Sequence, residues 1–468
     1  MGTVAHQDQH ISKVGGRLAD TSGRVPSARM RFTTSEVADA TNGEVFGREV
    51  DIDGITIDSR RVRPGQLFVP IVAERDGHDF IDAAVVAGAA AYVTAGPIGA
   101  ATAIRVADTA EALSSLGRHA RRRLPERVVA VTGSVGKTSL KDLLAAATAT
   151  TWRTAASVGS FNNELGVPLT LANAPDDTEV AVVEMGARGR GHIAALCDVA
   201  RPTIGVVTVV AGAHLEAFRT IDEVAAAKAE LVEALPTGGT AVLNADDERV
   251  DAMAARTDAI VVRFGIDSGD VRAEGVTVDD DLRASFMLRS PWGTAPVRLS
   301  VAGHHQVTNA LGAAAAALVL GTGVDAVAGG LANASLSAMR MDLVTLADGV
   351  RVLDDTYNAN PTSMLAALSA LAAAPAERRF AVLGTMAELG DGADREHAEV
   401  AEAARQLGIQ VMSVDEERYG LDGDDAVAGP DDAVRRLEAV GLGAGDVVLV
   451  KASRSARLER VVTRLRAR

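Results

Sequence analysis

Eleven residues carry the densest chemical signal in the chain: Val129-Ala130-Val131-Thr132-Gly133-Ser134-Val135-Gly136-Lys137-Thr138-Ser139. An apolar β-branched run, then small residues and glycines, then a Lys-Thr-Ser start predict a strand, a loop and a helix in that order. Such a loop suits phosphate. The backbone N–H groups of Gly133, Ser134, Val135 and Gly136 and the helix N-terminus can surround anionic oxygens. Lys137 would bring a point charge to the β- and γ-phosphates of a nucleotide. The hydroxyl of Thr138, with Ser139 beside it, would serve Mg²⁺. Val131 stands where the longer form of the pattern has its first glycine. The plainer alternative is a Gly-Lys-Thr helix start that binds nothing, and the strand before and helix after weigh against it.

Other polar residues fall where strands should end. Glu184 closes Val180-Ala181-Val182-Val183, and a carboxylate at the C-terminal end of a parallel strand lies on the ligand rim of such sheets. It is placed to hold a nucleotide's Mg²⁺, and the alternative is a solvated rim carboxylate. His214 follows the next apolar run, and Lys228 lies fourteen residues later in the helical stretch Val224-Ala225-Ala226-Ala227-Lys228-Ala229-Glu230. A lone histidine or helix lysine is ordinarily structural or solvated. Lysine is scarce here, however. Of the 47 basic residues only Lys13, Lys137, Lys141, Lys228 and Lys451 are lysines, so a lysine here is a better pointer than usual to chemistry that arginine cannot perform.

Gly303-His304-His305-Gln306-Val307-Thr308-Asn309 clusters polar groups at a helix start, to read an adenine edge or to cap the helix. Leu353-Asp354-Asp355-Thr356-Tyr357-Asn358-Ala359-Asn360-Pro361 places two carboxylates and two asparagines at a strand exit closed by a turn signal. Lys451-Ala452-Ser453-Arg454 follows the last apolar strand and is a candidate anion contact.

These residues need a scaffold of strands and helices. Apolar runs at Arg127–Thr132, Val180–Glu184, Ile204–Val210 and Thr240–Leu243 alternate with helical segments, including Asn309–Leu320. Continuous apolar strands of this kind imply an α/β fold with a parallel sheet covered on both faces. A second series, Arg351–Leu353, Phe380–Leu383 and Val447–Val450, predicts a further α/β domain. A smaller α/β unit precedes both, with a helix at Ser35–Ala38, strands at Gly54–Ile57 and Gln66–Val69, and a helix from Phe80. Residues 1–29 show no periodicity and read as a flexible arm, without the apolar core of a secretory signal. The expected division is 1–29, 30–110, 111–335 and 336–468.

Composition bounds the rest. A chain of 468 residues exceeds one ordinary core, and 47% apolar residues with 3% aromatics mean cores built of Ala, Val, Leu and Ile. A net charge of −15 argues against a nucleic-acid or anionic-membrane binder. Cys197 is the single cysteine, so no internal disulfide forms and a reducing, cytoplasmic setting fits. No run reaches a membrane-spanning length.

From about Phe32 to Arg457 the chain resembles the Mur ligases. The loop Gly133–Ser139 has the family's form. Thr56-Ile57-Asp58-Ser59-Arg60, Pro64–Val69 and Asp76-Gly77-His78 look like its uridine-nucleotide-binding segment. Ser160–Pro168, with Asn162 and Asn163, and Asp354–Pro361 are similar to segments of the member that adds D-alanyl-D-alanine. The Asp-Asn-Pro-Arg motif of the diaminopimelate-adding member is absent. Gln306, Thr385 and Ala452 stand where the family pattern has Asn, Asp and Gly.

The resemblance implies three domains: a small α/β N-terminal domain, a central P-loop parallel-sheet ATPase domain and a Rossmann-like C-terminal domain. It implies an ATP- and Mg²⁺-dependent amide ligase of peptidoglycan precursor synthesis, monomeric, acting on UDP-N-acetylmuramoyl-tripeptide and D-alanyl-D-alanine. Thr138 and Glu184 would hold one Mg²⁺, and His214 with a carbamylated Lys228 a second. Asn309 would meet adenine, Asp355 the ribose, and Arg340 the phosphates. Ser59, Arg60, Asn162, Asn163, Asn358, Asn360, Lys451 and Arg454 would contact the substrates. Lys137, Lys228 and His214 would be catalytic. The rival readings are a P-loop module that hydrolyses ATP without ligating, and a paralogue acting on another carboxylate and amine.

Overall fold

Two short segments show how the smaller elements are specified. Thr33 and Glu36 form a reciprocal capping box at the start of the helix Thr34–Thr41, and Asn42 ends it in the left-handed conformation. Asp108 accepts from the N–H groups of Ala110 and Glu111 and so caps the helix Thr109–Arg123, whose buried Ala112, Leu113, Leu116 and Ala120 make one apolar stripe. These belong to a computed structural model that describes residues 29–212 and 218–467. The arm expected at the N-terminus lies outside the described residues except for Arg29, which pairs with Pro175. His214 also lies outside them.

The chain divides into two compact units. The first holds the described residues up to 130 together with 151–186 and 193–204, and the second holds 131–150, 187–192 and the described residues from 205 on. In the first, a five-stranded sheet runs Glu44–Phe46, Ala103–Arg105, Ala91–Thr94, Leu67–Phe68, Ile55–Thr56. Its first pair is antiparallel and the remaining pairs are parallel. Arg31–Thr33 pairs antiparallel with Asp51–Asp53 beside it.

The largest sheet has nine strands in the order Gly293–Ala302, Arg283–Ser290, Val271–Val278, Ile260–Gly265, Thr240–Asn244, Ile204–Val207, Val128–Thr132, Val180–Glu184, Thr154–Ala156. The strands expected from apolar runs are in it. The additions are Thr154–Ala156, Ile260–Gly265 and three strands from Val271 to Ala302, the last three an antiparallel meander. Those three alternate buried and exposed residues, which marks a sheet with one wet face and leaves no continuous apolar run to notice. The helix Gln306–Val319 is alanine-rich and buried nearly all round.

A six-stranded sheet runs Asp342–Thr345, Arg351–Asp355, Asp446–Lys451, Arg378–Leu383, Gln410–Val414, Ala426–Val427, antiparallel at its first pair and parallel after it. Its two faces feed two cores. Leu353, Ala381, Leu383, Val447 and Leu449 join Met364, Leu368 and Val400 of the helices Pro361–Ala373 and Ala393–Gln406. Val352, Phe380, Val382, Val448 and Val450 join Leu437 and Val461 of Pro430–Val440 and Glu459–Arg466. Burial on both faces is why these strands read as unbroken apolar runs. No helix among the described residues is long and apolar enough to cross a membrane.

Candidate active site

The strand Val128–Thr132 is wholly buried and delivers its chain into a loop held by two glycines. Gly133 has φ 146° and Gly136 has φ 83°. A Cβ on Gly133 would collide with the Thr208 hydroxyl, and one on Gly136 with the Asn309 amide oxygen, so both conformation and space demand glycine. The loop is fastened to residues 208–211. Ser134 N–H donates to Val209 O at 2.7 Å, the Ser134 hydroxyl donates to Ala211 O at 2.9 Å, and Ala211 N–H donates back to that hydroxyl at 3.0 Å. Thr208 Oγ1 donates to Val135 O at 2.5 Å. These bonds correct the expected strand Ile204–Val210, which ends at Val207 because the backbone beyond it serves the loop.

Lys137 Nζ donates to the loop carbonyls of Gly133 at 2.8 Å and Ser134 at 3.3 Å. Thr138 and Ser139 are buried at the start of the helix Lys137–Ala149. At the far side of the loop, Asn309 Nδ2 donates to Gln306 Oε1 at 2.8 Å, and Gln306 Nε2 lies 3.2 Å from His305 Nε2. No side chain among the described residues caps this helix start, and the polar side chains bond within their own cluster. Among the described residues, His305 Nδ1 is buried without a hydrogen-bond partner. Burial pushes its imidazole down to about 4; Asp355 opposes that shift, and Lys451 and His304 add to it.

Lys228 lies in the helix Ile221–Glu233, capped by Thr220. It is 2% exposed, and burial, reinforced by repulsion from Lys137, holds its amine well below the usual lysine range. Glu184 is 1% exposed at its strand end and accepts from Asn162 Nδ2 at 2.8 Å. Asn163 Oδ1 accepts from Leu165 N–H and Gly166 N–H, holding the turn into the helix Gly166–Ala172. Asp58 caps the single turn Ser59–Arg61 and grips the Arg60 guanidinium at 2.8 and 2.9 Å. Among the described residues no three His, Cys, Asp or Glu side chains converge on a metal position. The expected set draws instead on a hydroxyl, one carboxylate, a lysine and the undescribed His214.

At the C-terminal edge of the six-stranded sheet, Asp355 and Lys451 are register partners. Lys451 is 2% exposed, and its Nζ contacts Asp355 Oδ2 at 2.5 Å and donates to Asn358 O at 2.8 Å. Asp355 Oδ1 also accepts from Met341 N–H at 3.2 Å. Expected separately, as ribose and substrate contacts, these two side chains are thus joined to each other. Asn360 caps the helix Pro361–Ala373 reciprocally with Ser363. Arg340 stacks over Tyr357 at 4.2 Å, between Met339 and Met341, both at positive φ. Its Nε is buried without a hydrogen-bond partner among the described residues. Arg454 pairs with Glu459 at 2.7 Å. Ser453 and His305 entered the sequence reading only as members of longer motifs, without individual roles. Both stand inside polar motifs, and only their partners single them out.

Residues 131–317 match the Mur ligase middle domain, 339–454 the glutamate ligase domain of Mur ligases, and 51–121 the Mur ligase family catalytic domain. The chain belongs to the Mur ligase family. Among Mur ligases it is 40% identical to the UDP-N-acetylmuramoyl-tripeptide–D-alanyl-D-alanine ligase of Mycobacterium tuberculosis, over 97% of this chain and 96% of that one. It is 37% identical to the enzyme of the same name from Escherichia coli K12, over 92% and 98%. A solved MurF structure from Acinetobacter baumannii superposes with a TM-score of 0.85 at 29% identity, covering 95% of this chain and all of that one. The Thermotoga maritima MurF ligase, solved in complex with ADP, superposes at 0.77 and 29% identity, over 88% and 97%.

Proposed function

We propose that this Mur ligase uses ATP to join D-alanyl-D-alanine to UDP-N-acetylmuramoyl-tripeptide, releasing ADP and phosphate, as a cytoplasmic monomer in peptidoglycan precursor synthesis. The observation that carries the reading is Lys228, a buried amine disfavoured as a cation and close enough to the phosphate loop to feel Lys137. The choice of substrates is supported by the near full-length likeness to ligases of that name. Residues 30–110 would take the uridine nucleotide, 111–335 the ATP, and 336–468 the incoming amine.

The tripeptide's terminal carboxylate attacks the γ-phosphorus, the bond to the bridging oxygen breaks, and an acyl phosphate forms with ADP. The dipeptide amine then attacks the acyl carbon. A C–N bond forms, the C–O bond to phosphate breaks, and the amine gives up a proton. Loop N–H groups and Lys137 balance phosphate charge throughout. The amide donors and acceptors of Asn162, Asn163, Asn358 and Asn360 and the charges of Arg60, Lys451 and Arg454 align the substrates. Asn309 meets the adenine, Asp355 the ribose and Arg340 the phosphates. A neutral Lys228 amine can add CO₂, forming an N–C bond and releasing one proton, which turns it into an anionic oxygen donor. Thr138, Glu184, His214 and this carbamate are the hard oxygen and imidazole donors that suit Mg²⁺. When bound there, Mg²⁺ would neutralise the transferring phosphoryl group.

The test is phosphate release by the purified protein with UDP-N-acetylmuramoyl-tripeptide, with and without D-alanyl-D-alanine. Release that requires the dipeptide is expected. Equal release without it would make the protein a non-ligating ATPase, and release only with another amine would make it a paralogue of different specificity.

A further inference from the structure

Three loops leave the C-terminal ends of three adjacent parallel strands, Arg351–Asp355, Asp446–Lys451 and Arg378–Leu383. One buried serine joins all three. Ser453 N–H donates to Thr385 O at 2.9 Å, the Ser453 hydroxyl accepts from Ala387 N–H at 2.9 Å, and it donates to Ala359 O at 3.3 Å. Ser453 is 4% exposed, so its hydroxyl has no water to substitute for these partners. The loop it holds is fastened at every residue from Gly384 to Ala387. Gly384 O accepts from the Tyr419 hydroxyl and Gly384 N–H donates to Lys451 O. Thr385 Oγ1 accepts from Arg418, and Met386 N–H donates to His397 Nε2 at 2.9 Å. The chain then turns at Glu388, with φ 63° in a residue that is not glycine. That conformation persists only where the surroundings impose it.

The exposed ends of the three loops differ in character from their anchored bases. Asn358, Ala387 and Glu388 are exposed, and Arg454 is half-buried, while Ser453 and Met386 are buried. An exposed amide and carboxylate, and a half-buried guanidinium paired with Glu459, therefore stand on loops that one hydroxyl ties together. This is the sheet edge where parallel α/β folds bind ligands. A small zwitterion such as a dipeptide has one group for each sign of charge displayed there.

We propose that Ser453 is a positioning residue for the incoming amine substrate. It sets the relative places of the Asn358, Ala387–Glu388 and Arg454 loops without touching the substrate. The inference rests on the ligase reading above and adds a residue to it. The test compares wild type with Ser453→Ala and Ser453→Thr, measuring kcat and the KM for each of the three substrates alongside melting temperature. Ser453→Ala is expected to raise the KM for D-alanyl-D-alanine by about tenfold while the KM for ATP stays within about twofold, because only the amine-side loops lose their tie. Ser453→Thr keeps the hydroxyl and should recover most of the loss.

A dipeptide KM within about twofold of wild type in folded Ser453→Ala overturns the proposal, and so does an equal rise in all three KM values, the mark of a merely structural role. If Ser453→Ala does not fold, Ser453→Cys fills the space of the side chain while weakening both hydroxyl hydrogen bonds, and is read the same way. An unchanged dipeptide KM there overturns the proposal as well. Wild-type protein in the same assay separates the two claims. No dipeptide-dependent release from wild type defeats the ligase reading, whereas a normal wild type with unaffected variants defeats only the role of Ser453.

Discussion

A lysine kept among alanines on a buried helix needs a reason, because an ammonium ion without water or a counter-ion is costly. Burial shifts Lys228 toward the neutral amine, the form that can take up CO₂. Arginine cannot follow, since its guanidinium stays charged at any working pH. Lys228→Arg is therefore expected to lose turnover and to destabilise the fold by roughly 2 kcal/mol or more. Lys228→Ala should lose turnover with a milder stability change. Bicarbonate added to CO₂-depleted enzyme should raise the wild-type rate and leave either variant unmoved. Full activity in Lys228→Arg would end the carbamate idea. Lys137 is the contrasting case. Its amine donates to the loop carbonyls of Gly133 and Ser134, neutral partners, so Lys137→Ala should cost about 1 kcal/mol by chemical denaturation. Phosphate release should nevertheless fall by about a thousandfold, and near wild-type release from a folded variant would remove the phosphate role.

Helix starts carry both structure and function in this chain, and Asn360 is where the two can be separated. Its side chain accepts from Ser363 N–H and opens the helix Pro361–Ala373, immediately before a proline suited to a first helical turn. Asn360→Ala should lower stability by about 1 kcal/mol, read from denaturant midpoints. Asn360→Ser keeps a capping oxygen but discards the amide, so stability should be nearly restored while the dipeptide KM remains raised. Wild-type kinetics in a fully stable Asn360→Ser protein would reduce Asn360 to a helix cap.

Across the whole molecule, acid should unfold the protein earlier than its carboxylates alone require. Burial is the leading cause that lowers His119, His305 and His397, and His305 is brought from 6.5 to about 4. The folded protein resists protonating these rings while the unfolded chain accepts protons near the ordinary value. Between those limits the unfolded state binds more protons, so stability is complete above about pH 6.5 and declines as pH falls toward about 4. Melting temperatures across that window should drop, and His305→Asn should flatten the decline relative to wild type. An equal slope in the variant would show that His305 is already solvated in the folded state.

Local spacing was enough to read the strand, glycine loop and helix around Gly133–Ser139, because all of them occupy one window of chain. It was also enough for the doubly buried strands such as Val447–Val450, whose unbroken apolar character is itself the mark of two covered faces. The anomaly of Lys228 was visible in composition before any coordinate. Partner choice was not legible. Asp355 and Lys451 are 96 positions apart and meet because their strands are neighbours in a sheet order set by crossovers. Asn162 reaches Glu184 across 22 positions for the same kind of reason. The meander from Val271 to Ala302 escaped notice because one-sided strands alternate and leave no apolar run. The end of the strand at Val207, the link from Ser134 to Ala211 and the three ties of Ser453 are hydrogen-bond decisions among several available donors and acceptors. Such choices depend on which backbone groups the tertiary fold brings within about 3 Å, and a sequence window contains no record of that.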